Sequence, residues 1–160
     1  MAVLIVVPTY LVIKQLRHEH EFKEYYQIIE GENLPEIFQQ STLFLNEEDI
    51  SCQKPLNLYG RVDQVFKTPD GTLILLDTKT RPNHQLHSDD ILQLSVYAMI
   101  LKNGNYGHPV HNFGFIRTVV KKEPYQRTVK YFYVKLYSEN EILEIQRLNQ
   151  QKKEEENNHA

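Results

Sequence analysis

The chain has 160 residues, 41% hydrophobic and 24% charged, which suits one globular domain with a sizeable core and leaves little room for a second. The formal net charge of −3 gives no overall argument for a nucleic-acid partner. The single cysteine, Cys52, excludes an internal disulfide and any four-cysteine zinc or iron–sulphur site, and points to a reducing, intracellular setting.

Charge is unevenly spread. Residues 1–50 carry 3 basic and 9 acidic side chains (net −6), residues 51–135 carry 12 and 6 (net +6), and residues 136–160 carry 3 and 6 (net −3). A basic middle between acidic ends is what a phosphate-binding face needs, although ordinary solvated surfaces also produce such blocks.

In chain order, Ala2 to Ile13 is almost wholly apolar. It falls short of the roughly 20 residues of a spanning helix, is broken by Pro8, and lacks the basic start and cleavage site of a secretory signal. Residues 1–14 therefore read as a core strand, with a marginal membrane anchor as the rival. From Leu16 to Ile29, Phe22, Tyr25, Tyr26 and Ile29 recur at helical spacing before Gly31, so a helix is expected there. Residues 31–57, with Pro35, Pro55 and Glu47-Glu48-Asp49, read as a short helix or strand plus loop.

Leu58 to Phe66 and Thr72 to Thr80 read as a hairpin about Thr68-Pro69-Asp70-Gly71, which has Pro at the second turn position and Gly where φ is often positive. Leu73 to Leu76 is apolar on both faces, which predicts a central strand. After a His-rich loop, Ser88 is placed to cap a helix with Asp89 and Asp90 in its first turn, ending near Lys102 before Asn103-Gly104-Asn105. Val110 to Val119 and Arg127 to Tyr137 read as two further strands, joined by the basic turn from Lys121 to Pro124. Ser138-Glu139-Asn140-Glu141 fits a capping box opening a last helix through Leu148, with a polar tail over residues 150–160. The domain proper is thus expected over residues 15–149, as an α/β fold with a mixed central sheet of four to five strands flanked by helices.

The chemistry concentrates between Gly60 and Tyr97. Pairing about the Pro69–Asp70 turn sets Asp63 opposite Leu76 or Asp77, with facing Cβ atoms roughly 5 Å apart. Two carboxylates this close repel unless a cation lies between them. A hard divalent ion fits, because Mg²⁺ takes one or two carboxylates and keeps its other positions for water or substrate oxygens. Lys79 shares the face of Asp77 by strand alternation, where an ammonium can hold a scissile phosphate. Thr78 points away but can offer its backbone carbonyl as a further oxygen ligand. Gln93 and Tyr97, at i and i+4, share a helix face and can support the site or touch a DNA backbone. Taken alone, the pair is better read as a surface glutamine and a core tyrosine. Together these groups form a minimal set for metal-dependent phosphodiester hydrolysis.

In order and spacing, Gly60-Arg61-Val62-Asp63, Asp77-Thr78-Lys79 and Gln93-Leu94-Ser95-Val96-Tyr97 resemble the RecB-like exonuclease branch of the PD-(D/E)xK nuclease superfamily, over roughly residues 56–137. The resemblance implies a restriction-endonuclease-like fold and an exonuclease-like, Mg²⁺- or Mn²⁺-dependent deoxyribonuclease acting on DNA that is single-stranded or has free ends. It also implies catalytic roles for Asp63, Asp77 and Lys79, metal ligation by Asp63, Asp77 and the Thr78 carbonyl, and support from Gln93 and Tyr97. Relatives often add an upstream His or Glu ligand; His18, His20, Glu21 and Glu30 are candidates, but none sits in a matching motif. CRISPR-associated relatives can bind an iron–sulphur cluster through four cysteines, so with Cys52 alone this chain resembles a cluster-free version. Some cluster-free relatives follow a membrane segment, which adds weight to an anchor over residues 1–14. The expected setting is the cytoplasm, at the inner face of a membrane if that segment anchors. Oligomeric state is not encoded in these motifs.

The remaining patterns are weaker. His84 and His87, and His108 and His111, form short-spaced pairs that read as polar loop histidines rather than a zinc site, with a place for His84 or His87 at the rim of the site as the alternative. Tyr125, Tyr131, Phe132, Tyr133 and Tyr137 alternate with Arg117, Lys121, Lys122, Arg127, Lys130 and Lys135, which reads first as a two-faced sheet and second as a nucleic-acid surface with stacking rings. The rival to an enzyme is a non-catalytic nucleic-acid-binding scaffold. Its expected mark, a broken acid–lysine set, is missing from this sequence.

Overall fold

The computed structural model describes the backbone of residues 26–30 and the whole of residues 34–124 and 126–158. The apolar segment 1–14, and His18, His20 and Glu21, lie outside the described residues. Strands β1 (Tyr26–Glu30), β2 (Thr42–Cys52), β3 (Leu58–Lys67), β4 (Leu73–Thr80), β5 (Phe113–Lys122) and β6 (Gln126–Lys135) form one sheet in the order β1-β6-β5-β4-β3-β2. Helices α1 (Glu36–Gln39), α2 (Ser88–Asn103) and α3 (Glu139–Asn158) complete the described fold. All neighbours are antiparallel except β4 and β5, which run parallel with α2 as the crossover between them. The architecture is the expected mixed sheet flanked by helices.

The β3–β4 hairpin forms as its turn residues dictate. Gly71 N donates to Thr68 O at 2.8 Å, closing the turn with Pro69 at its second position. Gly71 takes φ +86°, and Asp70 Oδ1 accepts the Thr72 N–H at 3.0 Å. The register pairs Gln64 with Leu76 and Val65 with Leu75. β4 lies inside the sheet, and Leu73 to Asp77 are all buried, which is why its apolar run shows no alternation.

Three sequence expectations shift. Among the described residues the sheet has six strands, because Tyr26–Glu30 is not the end of a helix but pairs with β6 from Tyr26–Val134 to Glu30–Lys130. Helical spacing there yields to aromatic and β-branched residues meeting an otherwise open strand edge. The cap of α2 is His87 rather than Ser88: the Asp90 carboxylate accepts the His87 N–H at 2.9 Å. Finally, α3 runs to Asn158 instead of ending at Leu148, since Gln, Lys and Glu beyond Gln150 are good helix formers. Its start is as expected: Glu141 Oε2 accepts the Ser138 N–H at 2.8 Å, and Ser138 Oγ accepts the Glu141 N–H at 3.3 Å.

The main core lies between the sheet and α2 with the start of α3. It joins Val65, Leu73, Leu75 and Ile116 to Ile91, Leu94, Leu101 and Ile142. α2 is buried on most sides, as expected of a helix wedged between a sheet and a second helix. On the other face a smaller core gathers around Phe38 of α1, whose ring meets Phe66 at 4.9 Å and Phe115 at 5.0 Å edge-on. Among the described residues no helix is long and apolar enough to cross a membrane.

Candidate active site

The β3–β4 ladder ends at Gln64–Leu76, and beyond it the Asp63 side chain replaces backbone pairing: its Oδ2 accepts the Thr78 N–H at 2.8 Å. The turn arithmetic thus brings Asp63 to the Asp77–Thr78 level. Asp77 is only 6% exposed. Burial pushes its carboxyl above the usual carboxylate range; Lys79 opposes that shift, while Asp63 and Asp90 add to it. The two acids of the motif therefore feel each other, as their facing positions require.

Lys79 is the hinge of the cluster. Its Nζ stands 2.9 Å from Asp77 Oδ2 and donates to Gln93 Oε1 at 2.7 Å. Gln93 Nε2 in turn donates to Tyr97 Oη at 2.9 Å. The expected i and i+4 pair is thus a relay from helix to strand: Gln93 is half-buried rather than on the surface, while Tyr97 also packs against the main core. Burial raises the Tyr97 hydroxyl above its usual range, while the Gln93 hydrogen bond pulls it down. At neutral pH it remains a proton-bearing donor.

The donor set suits a hard cation. Asp77 Oδ2 is a buried oxygen whose charge the Lys79 ammonium faces at 2.9 Å. A carboxylate oxygen has more than one lone pair, so one that faces an ammonium can still ligate a cation. Asp63 keeps a second oxygen beyond the one bound to Thr78. Among the described residues, no group of three or more His, Cys, Asp and Glu side chains converges to hold a metal. The two acids are therefore a partial set of the kind Mg²⁺ accepts, with other positions left for water or substrate.

Several residues around the site carry no clear signal in sequence. Arg81 grips Asp90 with both arms, Nη1 to Oδ2 at 2.7 Å and Nη2 to Oδ1 at 2.5 Å, and Nη1 also donates to Gln85 O at 2.7 Å. This fork ties the loop after β4 to the first turn of α2, and so sets where Gln93 begins its reach. In sequence the helix dipole alone accounts for Asp90; its partner nine residues earlier is invisible to helical spacing. His84 lies beside the site, with Nδ1 2.7 Å from Thr118 Oγ1 and Nε2 2.7 Å from Thr128 Oγ1. The other short-spaced histidines separate. His87 caps α2, His108 meets Phe44 edge-on, and His111 packs on Phe113.

A mixed sheet with a parallel β4–α2–β5 unit, flanked by helices and bearing an acid–acid–lysine cluster at the end of β4, defines the restriction-endonuclease-like class of fold. The family model of the PD-(D/E)XK nuclease superfamily matches residues 5–159, and the chain belongs to that superfamily. Its members are nucleases that generally use divalent metal ions and act on nucleic acid. No curated relative matches the chain.

Proposed function

We propose that the chain is a Mg²⁺- or Mn²⁺-dependent deoxyribonuclease of the RecB-like, exonuclease-like kind, with Asp63, Asp77 and the Thr78 carbonyl as metal ligands and Lys79, Gln93 and Tyr97 around the scissile phosphate. The observation that carries this reading is the unbroken relay from Asp77 through Lys79 and Gln93 to Tyr97, within reach of the Asp63 charge. A bound divalent ion would supply charge neutralisation at the phosphate and a more acidic attacking water.

The protein groups have separable tasks. Thr78 N–H holds one oxygen of Asp63, which fixes the carboxylate and leaves its other oxygen for the ion. The Lys79 ammonium has three donors. One goes to Gln93, one faces Asp77, and the third is available to a non-bridging phosphate oxygen, where it would stabilise charge that grows in the transition state. Tyr97 accepts from Gln93 and keeps its own hydroxyl proton for the substrate backbone.

The test is degradation of linear duplex and single-stranded DNA with Mg²⁺, Mn²⁺ or EDTA. Wild type should cleave only with metal, and Lys79→Ala and Asp77→Ala should each lose about 10²-fold or more. Activity surviving in both variants sinks the assignment. Binding without cleavage in Mg²⁺ and Mn²⁺ favours the non-catalytic scaffold instead.

A further inference from the structure

The two sides of the candidate site differ sharply in charge. Between Phe113 and Lys135 stand Arg117, Lys121, Lys122, Arg127, Lys130 and Lys135 against the single acid Glu123, net +5. On the far side, β2 carries Glu47, Glu48 and Asp49 and no basic residue, and Arg61 of β3 pairs with Asp49 at 3.4 Å.

The register sets the hairpin beside the site, and its outer end runs past the level of Lys79. Lys79 pairs with Thr118 on β5, and Thr118 with Lys130 on β6. Lys121 and Lys122 continue β5 three and four residues beyond Thr118, roughly 10 and 13 Å further along the strand. Both are exposed; by strand alternation Lys122 lies on the face of Thr118 and Lys79, while Lys121 and its exposed partner Arg127 lie on the opposite face with Val119 and Val129. His84, from the loop that leaves the catalytic strand, reaches Thr118 and Thr128 on the two hairpin strands at 2.7 Å each. That bridge holds the hairpin at a set position beside Lys79.

Most described rings of this hairpin are turned into the fold, with Tyr133 half-buried. Tyr131 and Phe132 are each 2% exposed, and Tyr133 stacks on Phe113 at 4.9 Å. The described strands offer charge rather than stacking platforms.

We propose that the outer end of the β5–β6 hairpin, with Lys122 on the face of Lys79 and Lys121 and Arg127 on the other, is a track for the phosphate backbone of the nucleic acid entering the site, reading phosphates and not bases. The acidic β2 edge bars the strand from the opposite side. The inference takes its partner from the nuclease reading above. Phosphate contacts of this type bind independently of sequence and weaken steeply with salt.

The test is fluorescence anisotropy in EDTA with labelled oligonucleotides of about 20 residues, longer than typical single-strand site sizes, in two unrelated sequences. Lys121→Glu/Lys122→Glu should weaken both equally, by about tenfold, and lower the slope of log affinity against log salt by roughly 0.7–0.9 for each phosphate that is no longer neutralised. Lys121→Gln/Lys122→Gln should do the same more mildly, and thermal melting checks that both variants fold. Glu47→Lys/Glu48→Lys on β2 should bind at least as tightly as wild type.

Lysine variants within twofold of wild type with an unchanged salt slope overturn the proposal, as does a wild type that binds neither sequence. A wild type that binds through these lysines yet cuts nothing in Mg²⁺ or Mn²⁺ sinks the nuclease reading and leaves the track standing. A wild type that cuts DNA while the lysine variants bind normally sinks the track alone.

Discussion

Gly60 on β3 lies beneath Tyr97 on α2, so close that a Cβ at Gly60 would stand 2.5 Å from Tyr97 Cε1 and 3.0 Å from Cδ1. The glycine of the Gly-x-x-Asp motif is therefore required by the tyrosine of the Gln-x-x-x-Tyr motif, because no methyl group fits between strand and ring. Gly60→Ala should force the ring aside and break the 2.9 Å Gln93–Tyr97 bond. Overpacking of this sort costs about 1–3 kcal/mol. Denaturant unfolding should show that loss, and DNA cleavage should fall further than in Tyr97→Phe, which keeps the ring and removes only its hydroxyl. Wild-type stability in Gly60→Ala would contradict the packing argument.

Asp77 makes stability depend on pH in a defined direction. Burial raises its carboxyl above the usual range despite the opposing charge of Lys79, so the folded chain holds that proton more tightly than the unfolded chain does. Its contribution is fully present below the ordinary carboxylate value of about 4. It declines as pH rises through the window up to the raised folded value, and stays level beyond. Asp77→Asn should abolish that decline, melt above wild type at neutral pH, and lose cleavage. Saturating metal should reverse the penalty in wild type only, adding about 2.7 kcal/mol at a hundredfold excess over Kd. Thermal melting across pH, with EDTA or Mn²⁺, checks all of this.

The Arg81–Asp90 fork is mostly buried, with side-chain exposures of 19% and 6%. Removing one partner strands the other charge, so Arg81→Met alone should cost about 3–5 kcal/mol. Arg81→Met/Asp90→Leu removes both charges and should recover part of that loss. Urea unfolding of the single and double variants measures the difference. Equal destabilisation in the two would mean that the pair acts through packing rather than charge.

Ser95 ties α2 to the end of the sheet. Its hydroxyl donates to Ile91 O at 2.6 Å and accepts the Tyr137 N–H at 2.9 Å, and the residue is 1% exposed. Ser95→Ala leaves the Tyr137 N–H without that acceptor, at a cost of about 1–3 kcal/mol. Hydrogen exchange should show faster exchange at Tyr137, while cleavage, which does not involve this end of the sheet, stays near wild type.

Much of the fold is legible because it is written in short-range chemistry. Thr68-Pro69-Asp70-Gly71 can close few turns other than the one it closes, and that turn fixes the β3–β4 register by counting. The run from Leu73 to Leu76 could be soluble only inside a sheet. Ser138 and Glu141 cap a helix by contacts spanning three residues. The first strand escapes such reading for the opposite reason: Tyr26 to Glu30 carries a helix-like spacing, and only the open edge of β6, a hundred residues away, makes it a strand.

The sequence by itself determined which groups would meet along β3 and β4, because Asp63, Asp77 and Lys79 sit on one hairpin whose geometry is local. Tertiary structure alone decided how they are completed: Lys79 to Gln93, Gly60 under Tyr97, Arg81 clasping Asp90, and His84 bridging Thr118 and Thr128. Each of these joins elements whose relative placement depends on packing α2 and the β5–β6 hairpin against the sheet. Burial energy sets that packing, and it belongs to the assembled core rather than to any short stretch of chain.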